Sequence, residues 1–241
     1  MTESLDNVFL GTIETLKVLE PPEGFLFADS GGKDSCVVRD VLIRGGIKYQ
    51  GYYTSTGIDA PELVKFIKRE HPETKFLYPN YKGHRSFFGM LRTVGPPSPM
   101  RRWCCAKLKE NPFRQLGKCV YLTGVRAEES RARAKKGPIN KRGKQLEIRP
   151  LFHRKVWEVW EYIERYKVPY SSLYDEGFER LGCVVCMFHN KKQHELYRSR
   201  WPKFFVAFEK AMKDFWETKG KGNYRETEYE AWLESWYAKK W

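Results

Sequence analysis

The feature that most constrains this chain is a short apolar run, Gly24–Ala28, that enters Ser30-Gly31-Gly32-Lys33-Asp34-Ser35 and leaves into a stretch with Val37, Val38, Val41 and Leu42 at helical spacing. Strand, glycine turn and helix in immediate succession aim backbone N–H groups and a helix N-terminus at one point. That makes a seat for phosphate or pyrophosphate. Gly31 and Gly32 permit close approach of the backbone, Lys33 adds a point charge, and Ser30 and Ser35 add hydroxyls. Asp34 is a candidate metal contact or a cap of the helix. The glycine spacing is not that of a Walker A loop.

Around this loop the pattern alternates. Helical periodicity covers 7–19, about 61–70, 86–92 and 156–166, and strand-like runs fall at 49–53, 75–78, 119–124 and, as a short element, 148–152. Such alternation predicts a largely parallel sheet covered by helices on both faces. Beyond Cys186 the chain turns helical and aromatic, through Trp201, Phe204, Phe205, Phe208, Trp216, Trp232 and Trp236. The expected organisation is a nucleotide-binding domain over 1–186 and a helical extension over 187–241.

Charge speaks to partners rather than to fold. The chain carries a formal +14 over 241 residues, which suits nucleic acid, an anionic surface or a polyphosphate substrate. Arg131 to Lys144 hold seven Lys/Arg and no acid, with Gly137, Pro138 and Gly143 as helix breakers, and read as a mobile basic loop. No apolar run is long enough for a spanning helix, and Met1–Asp6 lack the basic-then-apolar order of a signal peptide. A cytoplasmic protein with no membrane partner is expected, its oligomeric state left open.

Six cysteines in such a chain point to metal or redox chemistry rather than disulfides. Cys104-Cys105 and Cys183-Val184-Val185-Cys186 form two pairs, a set of thiolates suited to zinc or to iron–sulfur. Adjacent cysteines are unusual in structural zinc sites. Cys36, just after the loop, and Cys119, opening a strand, are read as buried apolar residues.

These segments together resemble the PP-loop adenine-nucleotide α-hydrolases, in their phosphoadenylyl-sulfate reductase-like branch. Ser30–Ser35 matches the family's phosphate loop, and Thr56-Gly57 with Pro61-Glu62 looks like its second nucleotide segment, with Ser55 where an aspartate is common. Gly124-Val125-Arg126-Ala127-Glu128-Glu129-Ser130 followed by Arg133 is similar to a third. Arg149-Pro150-Leu151 with Val156–Trp160, and Tyr174–Phe178 ahead of Gly182-Cys183, resemble the rest, although His153 and Arg154 replace the usual Trp and Thr.

The resemblance implies an adenine nucleotide α-hydrolase-like fold: α/β, with a five-stranded parallel twisted sheet and the nucleotide at the strand C-termini. It also implies a 4Fe–4S cluster on Cys104, Cys105, Cys183 and Cys186. Nucleotide-binding residues are then Ser30, Gly31, Gly32, Lys33, Asp34, Ser35, Thr56, Gly57, Gly124, Arg126 and Arg133, with Lys33 and Asp34 catalytic. Sulfonucleotide reductases of the family use a C-terminal cysteine as nucleophile, and no cysteine follows Cys186 here.

The expectation is therefore an enzyme that uses ATP and Mg²⁺, releases pyrophosphate and inserts sulfur into nucleic acid. DNA phosphorothioation and tRNA thiolation are the two forms, with a cysteine desulfurase or other sulfur donor as partner. Reduction of a sulfonucleotide by an external or non-standard thiol is the alternative. Lys191, Lys192, Arg198, Arg200 and Lys203 join the basic loop as candidate backbone contacts. Trp201 and its aromatic neighbours are candidates for base stacking or, at helical spacing, for the core.

Overall fold

The computed structural model describes residues 5–239. In chain order its elements are α1 (Leu5–Leu19), β1 (Phe25–Ala28), α2 (Lys33–Arg44), β2 (Tyr49–Thr54), α3 (Pro61–Glu70), β3 (Lys75–Leu77), α4 (Phe87–Val94), α5 (Asn111–Arg114), β4 (Cys119–Leu122), α6 (Arg131–Ala134), β5 (Ile139–Arg142), β6 (Gln145–Ile148), α7 (Val156–Tyr166), α8 (Lys191–Arg200), α9 (Pro202–Phe215) and α10 (Tyr229–Tyr237). They fall into two compact units. The first comprises Met1–Tyr53, Pro61–Leu77 and Phe113–Gly182, and the second Thr54–Ala60, Tyr78–Pro112 and Cys183–Trp241. Met1–Ser4, within the segment read above for a signal peptide, and the final Lys240-Trp241 lie outside the described residues.

The first unit is the expected α/β fold, built on a sheet of order β3-β2-β1-β4-β6-β5 and flanked by helices. β1 pairs in parallel with β2 and β4, and β4 with β6. Phe25 and Phe27 of β1 are buried, as are Val37, Val38, Val41 and Leu42 of α2, whose spacing turns one helical face inward. α7 buries Val159, Tyr162 and Ile163, and Tyr162 meets Phe9 of α1 with ring centroids 4.2 Å apart.

One strand exceeds the expected five. The segment read as a mobile loop instead forms α6, capped by Ser130, and then β5, which pairs antiparallel with β6. Arg142 faces Gln145 across a two-residue turn in which Gly143 takes φ +64°. The breakers Gly137, Pro138 and Gly143 are thus the corners of a hairpin. β6 itself ends at Ile148, where 148–152 was read as strand; Pro150 has no N–H for a ladder, and the Phe152 amide donates to the Arg149 carbonyl in a turn.

The second unit is an aromatic helical cluster. Phe87 of α4 stacks on Trp103 and on Phe208 of α9 at 5.2 and 6.3 Å. Trp103 and Trp236 donate their indole N–H groups to the carbonyls of Gly95 and Pro97, at 3.0 and 2.9 Å. Trp201, Trp216, Trp232 and Trp236 are all buried, so they serve the core rather than a stacking surface. Arg198, a candidate backbone contact, pairs with Glu209 at 2.7 Å. Among the described residues no helix is long and apolar enough to cross a membrane.

Candidate functional site

The phosphate loop leaves β1 at Ala28 and enters α2 at Lys33. Gly31 takes φ +65°, and a Cβ on it would lie 2.6 Å from the Ile67 side chain, so both backbone and space demand glycine. Gly124, just after β4, passes the loop equally closely: its Cβ would lie 2.9 Å from the Asp34 carbonyl carbon and 3.0 Å from the Ser35 nitrogen. No side chain caps α2, so Asp34 does not play the capping role considered above.

The loop's donors are occupied within the first unit. Gly31 N–H donates to Asp29 Oδ1 at 2.9 Å, Ser30 N–H to Ser35 Oγ at 3.0 Å, and Gly32 N–H to Ser30 Oγ at 3.4 Å. The first helical amide, Lys33 N–H, donates to the Tyr174 hydroxyl at 2.9 Å. The Ser35 hydroxyl, expected to face phosphate, points inward and donates to Asp29 Oδ1 at 3.0 Å. It shapes the loop rather than lining the seat.

Asp29 is the hub that sequence reasoning missed. Its side chain is fully buried; Oδ2 accepts the Thr74 hydroxyl at 3.0 Å and sits 2.6 Å from His71 Nδ1. Burial opposes its charge, but hydrogen bonds from His71, the Gly31 amide and Thr74 carry its pKa below the ordinary carboxylate value. His71 Nε2 in turn lies 4.0 Å from Cys36 Sγ. Cys36 is buried, as expected, and burial pushes its thiol well above the usual range. Cys119, expected to be buried, is half-buried at the start of its strand. An Asp ahead of the loop was the only local signal for the hub; His71 and Thr74 come from across the sheet.

Charge next to the loop is paired in a chain. Lys33, 6% exposed, holds Nζ 3.2 Å from Asp34 Oδ2, and Arg126, 4% exposed, holds Nε 2.5 Å from Asp34 Oδ1. Arg126 also reaches Glu128 at 2.6 Å. Asp34 is therefore shared by two buried cations and fixes their positions. Arg133 pairs with Glu129. Burial and the charges of Arg180 and Arg149 lower the Arg133 pKa, and Arg149 buries an Nε with no acceptor. Arg149 is itself paired with Glu147 at 2.8 Å, so the cations beside Arg133 are partly neutralised. Arg149 was read from sequence only within its Arg149-Pro150-Leu151 motif, and Arg180 was not singled out.

Thr56 and Gly57 belong to the second unit, with the four cysteines. Thr56 donates its amide and hydroxyl to Asp59 Oδ2, at 2.7 and 3.1 Å, and its hydroxyl lies 3.9 Å from Cys183 Sγ. Asp59 bridges to Cys183, and Val184 N–H donates to the Ile58 carbonyl at 2.7 Å, so this turn holds the first cysteine of the second pair. Cys104 and Cys105 open a π-helical turn, Cys104–Glu110.

None of the four cysteines is in a disulfide, and the charges of Cys105, Cys183 and Cys186 act on Cys104. A hydrogen bond with Cys105, burial, and the charges of Cys105, Cys183 and Cys186 raise the Cys104 pKa. The same hydrogen bond from Cys104, against burial and aided by Lys109 and Arg102, lowers Cys105 to about 6. Burial first pushes Cys183 up to about 12. As a donor set the thiols fit a soft, cationic iron–sulfur group, which would relieve their mutual repulsion. Among the described residues, however, no group of three or more His, Cys, Asp or Glu is arranged to hold a metal. The donors are gathered but not closed.

Residues 25–188 match the family model described as the phosphoadenosine phosphosulfate reductase domain. The chain belongs to this family. Among reductase-domain relatives, an adenosine 5′-phosphosulfate reductase of Geobacillus sp. (strain WCH70) is 32% identical over 81% of this chain and 87% of its own length. An uncharacterised protein of Methanocaldococcus jannaschii is 28% identical over 80% of this chain, which spans only 42% of that protein. The U34-tRNA thiolase NcsA from Methanococcus maripaludis, solved with its 4Fe–4S cluster, shares the fold with a TM-score of 0.52 and 19% identity, over 95% of this chain and 80% of that one. The loop, Gly124, Arg126 and Arg133 all fall within the reductase domain, as do the four cysteines.

Proposed function

We propose that this chain is a PP-loop enzyme of sulfur chemistry that activates an acceptor with ATP, releases pyrophosphate and inserts sulfur into nucleic acid. The observation that carries the reading is the glycine turn at the α2 N-terminus, with Lys33 and Arg126 buried on either side of Asp34. An oxygen of the acceptor attacks the α-phosphorus of ATP, and the bond to the bridging oxygen breaks, leaving pyrophosphate. A sulfur nucleophile then displaces AMP, so the acceptor exchanges oxygen for sulfur. The loop amides and Lys33 bind the negative charge that develops on the leaving pyrophosphate. Arg126 and Arg133, held in the free chain by Asp34, Glu128 and Glu129, then clamp phosphate oxygens. Mg²⁺ would arrive with ATP and supply neutralisation of charge at its phosphates.

Cys104, Cys105, Cys183 and Cys186 are the residues that would hold a 4Fe–4S cluster. When bound, it supplies sulfide-bridged iron, and none of these steps runs through it. The +14 charge and the basic hairpin support a polyanionic acceptor, DNA or tRNA. The sulfur donor is a cysteine desulfurase or an equivalent source, and its persulfide attacks as R–S–S⁻. A dithiol then reduces the S–S bond so formed, leaving one sulfur on the acceptor, releasing the donor thiol and ending as a disulfide.

The test is pyrophosphate release from ATP by cluster-loaded protein, with and without nucleic acid. Stimulation by nucleic acid and a loss of roughly 10²–10³ in rate on Lys33→Ala are expected. No release under any condition overturns the reading. The 32% identity to an adenosine 5′-phosphosulfate reductase favours a second one. There an external dithiol gives two electrons to adenosine 5′-phosphosulfate, yielding sulfite, AMP and a disulfide, and sulfite release without any use of ATP would replace the first reading with it.

A further inference from the structure

The first unit carries a second opening at the other end of its sheet. Because β1, β4 and β6 run parallel, the phosphate loop after Ala28 lies at their C-terminal end, while Cys119 and Gln145, paired side by side, start β4 and β6 at the opposite end. There a cavity of about 490 Å³ is lined by Arg114, Gly117, Arg142, Gly143, Lys144 and Gln145. Its ionisable lining is entirely cationic. Arg114 and Lys144 are exposed and Arg142 is half-buried.

This is a held frame rather than a loose basic loop. Gln145 is 5% exposed, and its carboxamide donates to the carbonyls of Phe113 and Gly117, at 3.3 and 3.0 Å, tying the hairpin to the turn that carries Arg114. Gly117 and Gly143 take φ +86° and +64°, and a Cβ on either would meet nothing within 4 Å. The backbone there is open to a ligand. A lining whose ionisable groups are all cations, around accessible backbone, suits phosphate oxygens.

We propose that this cavity grips the phosphodiester backbone of the nucleic-acid substrate, at a distance from the reacting end. The inference rests on the function proposed above and deepens it. A strand of four residues spans ~13 Å at about 3.3 Å per residue, before the flanking turns are added. A small phosphate ester bound at the loop leaves the cavity free, whereas a polymer with a phosphate at every step reaches both. The substrate is then a nucleic acid and not a mononucleotide.

The experiment measures binding of the full chain to a labelled DNA duplex and to labelled tRNA across a salt series. The wild type is compared with Arg114→Gln/Arg142→Gln/Lys144→Gln, and with Arg114→Gln/Lys144→Gln, which keeps the partly buried Arg142. The triple variant is expected to lower the slope of log affinity against log salt by about 2–3, and the double variant by about 1–2. Pyrophosphate release from ATP without nucleic acid stays at the wild-type rate, while its stimulation by nucleic acid falls. The better-bound polymer identifies the source of the backbone. Nucleic acid bound with an unchanged slope in both variants overturns the grip and leaves the proposed function standing. No binding of either polymer by the wild type overturns both.

Discussion

The phosphate loop and the cysteine set are the two motifs that most distinguish this sequence, and the fold treats them oppositely. Around the loop, the first unit supplies its own partners: Asp29, Ser35 and Tyr174 take up the amides and hydroxyls, and Asp34 is neutralised by Lys33 and Arg126. In the second unit the thiols are brought within electrostatic reach, but the charges that raise Cys104 come from the other cysteines themselves. One site is complete without its ligand. The other is a donor set whose repulsion a cationic group would remove. A loop built from backbone can be satisfied by neighbouring side chains, whereas a set of four thiolates has no substitute for a metal.

The largest expected effect breaks the first half of this contrast. Asp29→Ala strips the buried hub of its acceptor, leaving His71, Thr74, the Gly31 amide and Ser35 without it. A loss of about 3–5 kcal/mol in unfolding free energy is expected, measured by denaturant titration. The same hub predicts an acid transition. The Asp29 pKa is depressed on folding, so its contribution is fully present above the unfolded value near 3.8 and is lost as pH falls below it through the folded value. A variant as stable as the wild type would show that the loop does not depend on Asp29.

The second half is sharpened at Thr56, whose hydroxyl lies 3.9 Å from Cys183 Sγ and is anchored on Asp59. Cys183→Ala is expected to abolish stoichiometric iron and sulfide in anaerobically reconstituted protein. Thr56→Val, which spares every thiol, is expected to weaken iron retention against a chelator by roughly 10–100-fold. Unchanged iron content and visible absorption in Cys183→Ala would remove the cysteine set from the metal site altogether.

What could be read from sequence follows the range of each interaction. The strand–loop–helix, α3 at Pro61–Glu70 and α7 at Val156–Tyr166 are local patterns of burial and turn chemistry, and the structure keeps their limits. β5 was hidden because a run of charges masked the hairpin; its cations stand on a strand whose corners are Pro138 and Gly143. His71 and Tyr174 were not legible as loop partners. They meet Asp29 and Lys33 across separations of 42 and 141 residues, and a histidine or tyrosine carries no mark of such a contact. The cysteine pairs were visible as chemistry, but spacing says nothing of how nearly their sulfurs converge.

The smallest effect tests whether the loop's completeness is an obstacle to its ligand. The Tyr174 hydroxyl takes the Lys33 amide at 2.9 Å and would lie 3.3 Å from a Cβ on Gly32, so it stands where an anion's oxygen would be received. Pyrophosphate must then displace the phenol before it can take that amide. Tyr174→Phe keeps the ring that packs on Trp160, 5.2 Å away, and removes only the competing acceptor. A neutral hydrogen bond of about 1 kcal/mol corresponds to roughly fivefold tighter pyrophosphate binding, read by calorimetry. Weaker binding in Tyr174→Phe would mean that the hydroxyl donates to the bound anion. The loop would then be less self-sufficient than the contrast holds, and closer in kind to the cysteine set that waits for its partner.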